Sequence, residues 1–479
     1  MPQSYLDPFF NGKSVALIGA SANPNKWGFR ILANIVAGKF TGSIYPINPR
    51  GGTLFGLEIF PSLNKIPQSV DLAVITIPAE KVAMALEECA LKGIRSVVVI
   101  SSGFSETGEQ GRALEKQLAQ LADDKGLHFI GPNTMGIFSA STSLHALMPP
   151  VQPLRGGVSY VSQSGNVGVQ MLGWGMERGV GFSKFVSSGT EGNIPIENYL
   201  EYFASDPDTK VILAYLEGLK DGKRFLEVSQ KTALAKPIIL FKGGKTDAGS
   251  LAAQSHSGAL ASRYSLFKAA CHQVGIVEVE TTDGLLDCTS AFLHNPLPRG
   301  KRIAVLTRGG GWGVVAADAC REWGLELPDL PDRVINQLNQ VLPPYWSHGN
   351  PIDMAATLNP EALPRCLEAL IKEDCFDGII AQGVDARRKS LLMAEKLKKE
   401  NLLKEVELEE SDPASSSEVQ LVLDLMDTYK KPVVMVSGLS SIARTVISGD
   451  REAVIFPTPE RGVRAMAKLC LYGAFLQGR

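Results

Sequence analysis

The chain is short of several things at once. Its seven cysteines are scattered through 479 residues with no C-x-x-C pair, so neither a disulfide framework nor a cysteine-bound zinc is indicated, and no metal site is expected. Excess charge is missing too: 48 Lys plus Arg against 50 Asp plus Glu leave a net −2. That balance offers no basic face for a nucleic acid or an anionic membrane surface, and neither is expected as a partner. No apolar run approaches the roughly 18 residues needed to span a bilayer. The opening residues, Met-Pro-Gln-Ser-Tyr-Leu-Asp, carry no basic head followed by an apolar segment. The phosphate loop G-x-x-x-x-G-K-[ST] does not occur. With 44% hydrophobic and 20% charged residues, the chain is neither disordered nor low in complexity. The expectation is a soluble, cytoplasmic α/β protein of about three domains, at roughly 150 residues each.

What is there is one opening used three times: a β-branched run, a small-residue turn, then an amphipathic stretch. In the first unit strands are expected at 14–18, 43–47, 72–77, 96–100 and 128–130, with a helix over 29–37. Continuous apolar strands alternating with helices imply a parallel sheet covered on both faces. A proline- and glycine-rich linker follows at 149–157. The second unit has strands at 158–161, 210–216 and 237–241, and a helix from about Asn166. Another linker at 295–300 leads to strand 302–307, the loop 308–313 and a helix, with later strands at 378–382 and 432–436. The stretch 398–417, charged and then serine-rich, reads as a helix end running into a surface loop.

A strand that feeds a helix through a bare loop presents free N–H groups and a positive dipole end, which is the physics of a phosphate site; the plain alternative is a tight turn. In the first opening, Gly19-Ala20-Ser21-Ala22-Asn23-Pro24, serine stands where a dinucleotide fingerprint needs its second glycine. Strand two ends in Asn48-Pro49-Arg50, without the carboxylate that would hold a ribose diol. NAD is disfavoured. Arg50 suits a phosphorylated ribose, as in NADP or the 3′-phosphate of coenzyme A, or is a solvated turn residue. In the second opening the hydroxyls of Ser162 and Ser164 and the backbone of Gly165 and Asn166 could hold a phosphoryl group; alternatively Ser164 is a helix cap. The third, 309–313, is either an anion nest or, with Trp312, a packing surface between domains or chains. Structure or interface carries more weight there.

Six histidines are present. His128 falls in a strand and His272 in an amphipathic helix, both structural; His294 precedes a linker; His145 and His348 are placed in loops. His256 differs, lying between Ser255 and Ser257 in a run of small residues after Gly243-Gly244-Lys245. An imidazole with pKa near ~6.5 is largely neutral at pH 7 and can accept a phosphoryl group. Glu217 ends the strand at 210–216, at the carboxyl edge where sites form in open α/β sheets. A carboxylate there can hold the imidazole N–H and stabilise the charged ring.

On these residues the chain resembles, over almost its whole length, the α subunit of ADP-forming acyl-CoA synthetases, the acetate–CoA ligase relatives of succinyl-CoA synthetase. The resemblance implies a Rossmann-like CoA-binding domain (1–148) followed by two flavodoxin-like, succinyl-CoA-synthetase-like parallel-sheet domains: one bearing a phosphohistidine loop (156–294), and a third ligase domain (300–479). It places coenzyme A against Gly19, Ala20, Ser21 and Asn23, against Arg50, Ile77 and Pro78, against Ser101, Ser102 and Gly103, and sets Asn133 in the segment facing the thiol. It makes His256 the phosphorylated residue, Glu217 its supporting carboxylate, and Ser164, Gly165 and Asn166 the phosphate cradle. Thr134 stands where succinyl-specific relatives have cysteine, so succinate is not favoured, and Ser101-Ser102-Gly103 replaces their Thr-Glu-Gly. The implied reaction interconverts acyl-CoA, ADP and phosphate with carboxylic acid, CoA and ATP through a phosphohistidine and an acyl phosphate. ATP or ADP and Mg²⁺ would be held by an ATP-grasp β subunit, in a hetero-oligomer expected to be a heterotetramer. Two alternatives stay open at this point: a non-catalytic CoA-binding regulatory protein, and an NADP-dependent oxidoreductase.

Overall fold

The run Ser-Val-Ala-Leu-Ile at Ser14–Ile18 is buried along its whole length, as only a strand covered on both faces can be. In the computed structural model, which describes residues 4–251, 264–384, 417–438, 441–448 and 450–478, it lies inside a five-stranded parallel sheet. The order is Ser43–Ile47, Ser14–Ile18, Leu72–Ile75, Ser96–Val99, His128–Ile130. The chain leaves Ser14–Ile18 in one direction and resumes on its other side at Leu72–Ile75, which makes the gap between their carboxyl ends a switch point. Helix Val82–Lys92 shows how such a sheet is covered. It buries Val82, Ala85, Leu86 and Cys89, the i, i+3, i+4, i+7 face of an amphipathic helix.

A second sheet runs Val277–Val279, Ile238–Lys242, Val211–Leu216, Arg155–Ser162, Phe182–Ser187, Gly136–Ser139, Leu144–Leu147. Its first five strands are parallel and the last two antiparallel. The hairpin at 136–147 precedes the 149–157 segment where the sequence places a linker, yet it pairs Ile137 with Val186 and Phe138 with Phe185. His145 is accordingly not in a loop, as expected, but within the strand Leu144–Leu147. It is buried, its ring edge-on to Phe138 at 4.9 Å between centroids, and burial holds its imidazole below the usual range. Four-residue strands around the serine-rich 139–143 turn leave too little periodicity to read.

These two sheets form one unit, Met1–Leu285; Leu286–Arg479 is another. Within the second, six strands order as Ile352–Asp353, Ile303–Thr307, Gly378–Gln382, Val433–Val436, Arg451–Phe456, Arg444–Ser448, with only the last antiparallel to its neighbour. The sequence reads 308–313 as a loop; the helix Gly310–Glu322 already begins inside it, so Trp312 belongs to a first helical turn and stays exposed. Asp287, wholly buried, takes two bonds from the Arg461 guanidinium at 2.7 and 2.6 Å and one from Arg464 at 3.0 Å. Among the described residues no helix is long and apolar enough to cross a membrane. The architecture is the α/β, mainly parallel one the sequence implies.

Candidate active site

At the switch point of the first sheet the chain turns at Gly19, whose φ of 101° suits glycine and whose absent side chain would meet the Thr76 hydroxyl at 2.8 Å. The N–H groups of Gly19 and Ala20 donate to Ile47 O at 3.1 and 3.0 Å, and the Asn48 amide donates to Ala20 O at 2.8 Å. Helix Trp27–Ala37 then packs directly over the turn: a Cβ on Gly28 would lie 2.0 Å from Gly19 O. Across the gap, Ser101 donates its hydroxyl to Ile77 O, and Asn133 N–H donates to Ser101 O at 2.9 Å. Loops after three different strands are thus bonded into one rim.

The second sheet has its own switch point, between Arg155–Ser162 and Val211–Leu216. Gln163 closes it. Its side-chain oxygen accepts from the N–H groups of Glu217 and Gly218 at 2.7 and 3.1 Å, and its amide donates to Gly218 O at 2.9 Å. Ser164 caps helix Gly165–Arg178, accepting from Val167 N–H at 3.4 Å, so the capping reading of that serine is realised. The remaining N–H groups of the first turn have no partner inside the helix, which keeps the positive end available to an anion.

Glu217 is half-buried at the strand end. The Tyr215 hydroxyl donates to its carboxylate at 3.4 Å, and burial, with that carboxylate beside it, keeps the phenol protonated. Beneath it the buried Lys242 ammonium donates to Glu217 O at 2.7 Å and to Gly243 O. Burial lowers the Lys242 pKa and the Glu217 charge opposes that. Gly243-Gly244-Lys245 leads on toward His256, which lies outside the described residues.

Both switch points open on one cavity of about 410 Å³. From the first sheet come Lys26, Trp27, Thr76, Ile77, Pro78, Ser101, Ser102 and Asn133; from the second, Gln163, Ser164, Gly165 and Asn166, with Gly189 and Thr190 between. Two helix N-termini therefore face the same space, a setting that favours anions. Not every residue singled out in the sequence lines it. Gly19, Ala20 and Ser21 form the turn behind Lys26 and Trp27. Asn23 is exposed and accepts from Asn25 N–H at 2.9 Å. Gly103, at φ 108°, donates to Glu106 at 2.6 Å, and Arg50 is exposed in the turn after Ser43–Ile47. Lys26, Trp27, Thr190 and Lys242 were not anticipated, nor was the part Gln163 plays. An exposed Trp at a helix start was the one local signal, since the others act through contacts between distant strand ends.

Known proteins fit this geometry. A CoA binding domain family matches residues 13–140, a succinyl-CoA ligase like flavodoxin domain 155–292, and a Ligase-CoA domain 303–380. The alpha subunit of ADP-forming acetate–CoA ligase II of Pyrococcus furiosus is 39% identical over 376 residues, 78% of this chain and 82% of that one. The alpha subunit of enzyme I of the same organism is 34% identical over 470 residues, 97% of each chain. The solved structure of the dinucleotide forming acetyl-coenzyme A synthetase 1 of Ca. Korarchaeum cryptofilum, in complex with phosphate and ADP, superposes with a TM-score of 0.81 at 31% identity, covering 99% of this chain and 98% of that one. Fold and cleft define an acid–thiol ligase chain with a CoA-binding domain. The chain belongs to the alpha-subunit family of ADP-forming acetate–CoA ligases, and neither the regulatory nor the oxidoreductase alternative finds support among its relatives.

Proposed function

We propose that this chain binds coenzyme A against its first sheet and carries a phosphoryl group on His256, interconverting acyl-CoA, ADP and phosphate with carboxylic acid, CoA and ATP. The observation that carries the reading is the shared cavity. Ile77, Pro78, Ser101, Ser102 and Asn133, assigned to CoA by resemblance, and Ser164, Gly165 and Asn166, assigned to phosphate, line one space.

In the acid-activating direction the His256 imidazole attacks the γ-phosphorus of ATP, and the bond to ADP breaks. A substrate carboxylate oxygen then takes the phosphoryl group, restoring the imidazole and giving an acyl phosphate. The CoA sulfur bonds to the acyl carbon as the carbon–oxygen bond to phosphate breaks. Glu217 accepts the imidazole N–H and steadies the charged ring. The first turn of Gly165–Arg178 and the Ser164 cap offset phosphoryl charge, so the protein's part is positioning and electrostatics. Lys242 pins the main chain of Glu217 from below.

The nucleotide and Mg²⁺ would be held by an ATP-grasp β subunit, in keeping with relatives named as alpha subunits, and a heterotetramer is the assembly we favour. The test is incubation of the pure chain with γ-labelled ATP, with and without such a partner. Acid-labile label and acyl-CoA are expected only with the partner. Robust ATP-dependent acyl-CoA synthesis by the pure chain would refute the division of labour.

A further inference from the structure

Behind the phosphate cradle lies a buried acid to which the chemistry above gives no task. Glu191, just past strand Phe182–Ser187, is 5% exposed. Its Oε1 accepts from the Ser188 hydroxyl at 2.8 Å and its Oε2 from Ile196 N–H at 3.3 Å. The first of these partners connects to the cradle. Ser188 N–H donates to Ser162 O at 2.8 Å, Ser162 donates its hydroxyl to Ser164 O at 2.6 Å, and Gln163 holds the Glu217–Gly218 turn. Through Ser188 the carboxyl is thus tied to the ends of two strands, Phe182–Ser187 and Arg155–Ser162, the second of which leads into Ser164.

The negative charge of that carboxyl is poorly supported. Burial pushes it up to about 7, against the pull of Ser188, Gln163 and Lys220. Lys220 directs its ammonium to the main-chain oxygen of Glu191, at 2.6 Å. Apart from the Ile196 N–H, the other groups packed around it do not offset its charge. Glu197 of helix Ile196–Ser205 raises it further, Tyr199 of that helix is wholly buried and stays protonated, and Glu115 of helix Glu109–Lys125 takes the neighbouring Thr190 hydroxyl at 2.9 Å. A doubly charged phosphoryl group arriving at Ser164–Asn166 adds like charge nearby, which favours the neutral acid.

We propose that Glu191 is a positioning residue whose carboxyl takes up a proton when the cradle fills with a phosphoryl-type anion and releases it when the cradle empties. The inference rests on the assignment of Ser164, Gly165 and Asn166 as the cradle. The neutral acid still accepts from Ser188 and Ile196, so the strand ends stay tied while the repulsion is removed.

Sulfate binding to the full chain carrying His256→Ala tests this, because neither the probe nor residue 256 then titrates near neutrality. Calorimetry is expected to show affinity rising as pH falls from about 8 to about 6, by at most about tenfold per pH unit for one linked proton. Titrations in buffers of different ionisation enthalpy should report net proton uptake. Glu191→Gln in the same background should bind with little pH dependence. Binding to the His256→Ala protein with no pH dependence and no proton uptake overturns the proposal and leaves the cradle standing. A pH slope that survives Glu191→Gln overturns it too. If the glutamine variant does not fold, the buffer-dependent heats of the His256→Ala protein decide alone. Absence of saturable sulfate binding would remove the cradle assignment itself, and the proposal with it.

Discussion

Gln163 and Glu217, 54 residues apart, are joined main chain to side chain: the Gln163 oxygen accepts from Glu217 N–H at 2.7 Å. With the two bonds to Gly218 and the Gln163 N–H on Tyr215 O at 3.2 Å, this link aligns the helix that opens at Ser164 with the carboxylate assigned to His256. Gln163→Ala leaves two N–H groups and a carbonyl without these partners, at about 1–3 kcal/mol for an unsatisfied buried group. The expected result is a drop of about ten- to a hundredfold in His256 phosphorylation, on the scale of about 1.4 kcal/mol per tenfold. Gln163→Glu should do worse, since it loses the donor and sets a second acid against Glu191. Phosphorylation rates of the two variants with the partner present check the order.

His256→Ala should abolish acid-labile phosphorylation and acyl-CoA formation while leaving CoA binding nearly intact. Glu217→Gln should slow phosphoryl transfer by about 10²–10³-fold, the scale of one positioned electrostatic partner. Full turnover by the alanine variant, or an unchanged rate in the glutamine variant, would remove the residue concerned from the mechanism.

Arg50 is exposed in the turn after Ser43–Ile47, with its N–H on the Asn48 side chain at 3.0 Å. Arg50→Ala should weaken CoA much more than 3′-dephospho-CoA, because only the former carries the phosphate a guanidinium grips. Equal losses measured by calorimetry would make Arg50 a turn residue and nothing more.

Most sheet strands could be read in the sequence because they are uninterrupted apolar runs, buried on both faces as at Ser14–Ile18 and Val211–Leu216. The 136–147 hairpin could not, being two four-residue strands. Trp312 misled for a related reason: glycines that look like a loop can also start a helix. In the site, the small-residue loop at Ser164–Asn166 announced itself by composition, whereas Ser101 and Ser102 entered only through the family resemblance. Gln163, Thr190 and Lys242 did not, because their roles arise from strand ends that meet only through the crossovers. Lys242 in particular falls just past the strand expected at 237–241, and its bond to Glu217 O spans 25 residues.

Asp287→Ala should destabilise the unit Leu286–Arg479 by about 3–5 kcal/mol, the usual cost of removing one side of a buried ion pair. Two guanidiniums, from Arg461 and Arg464, would lose their shared acceptor. Denaturant melts should show the loss, while CoA affinity, which the proposed site places in the other unit, stays unchanged.

The placement of the 136–147 hairpin governs how this protein can be divided. A piece ending at residue 148 would contain every strand of the first sheet, but it would carry away two strands that belong to the second. The remainder would then begin with Phe182–Ser187 as a bare margin, offering its open N–H and C=O groups to any strand in reach, a recipe for self-association. The detached piece would hold Gly136–Ser139 with nothing to pair against on that side. A cut near 285 severs no sheet. Recombination between relatives, natural or engineered, should therefore exchange the first 285 residues whole.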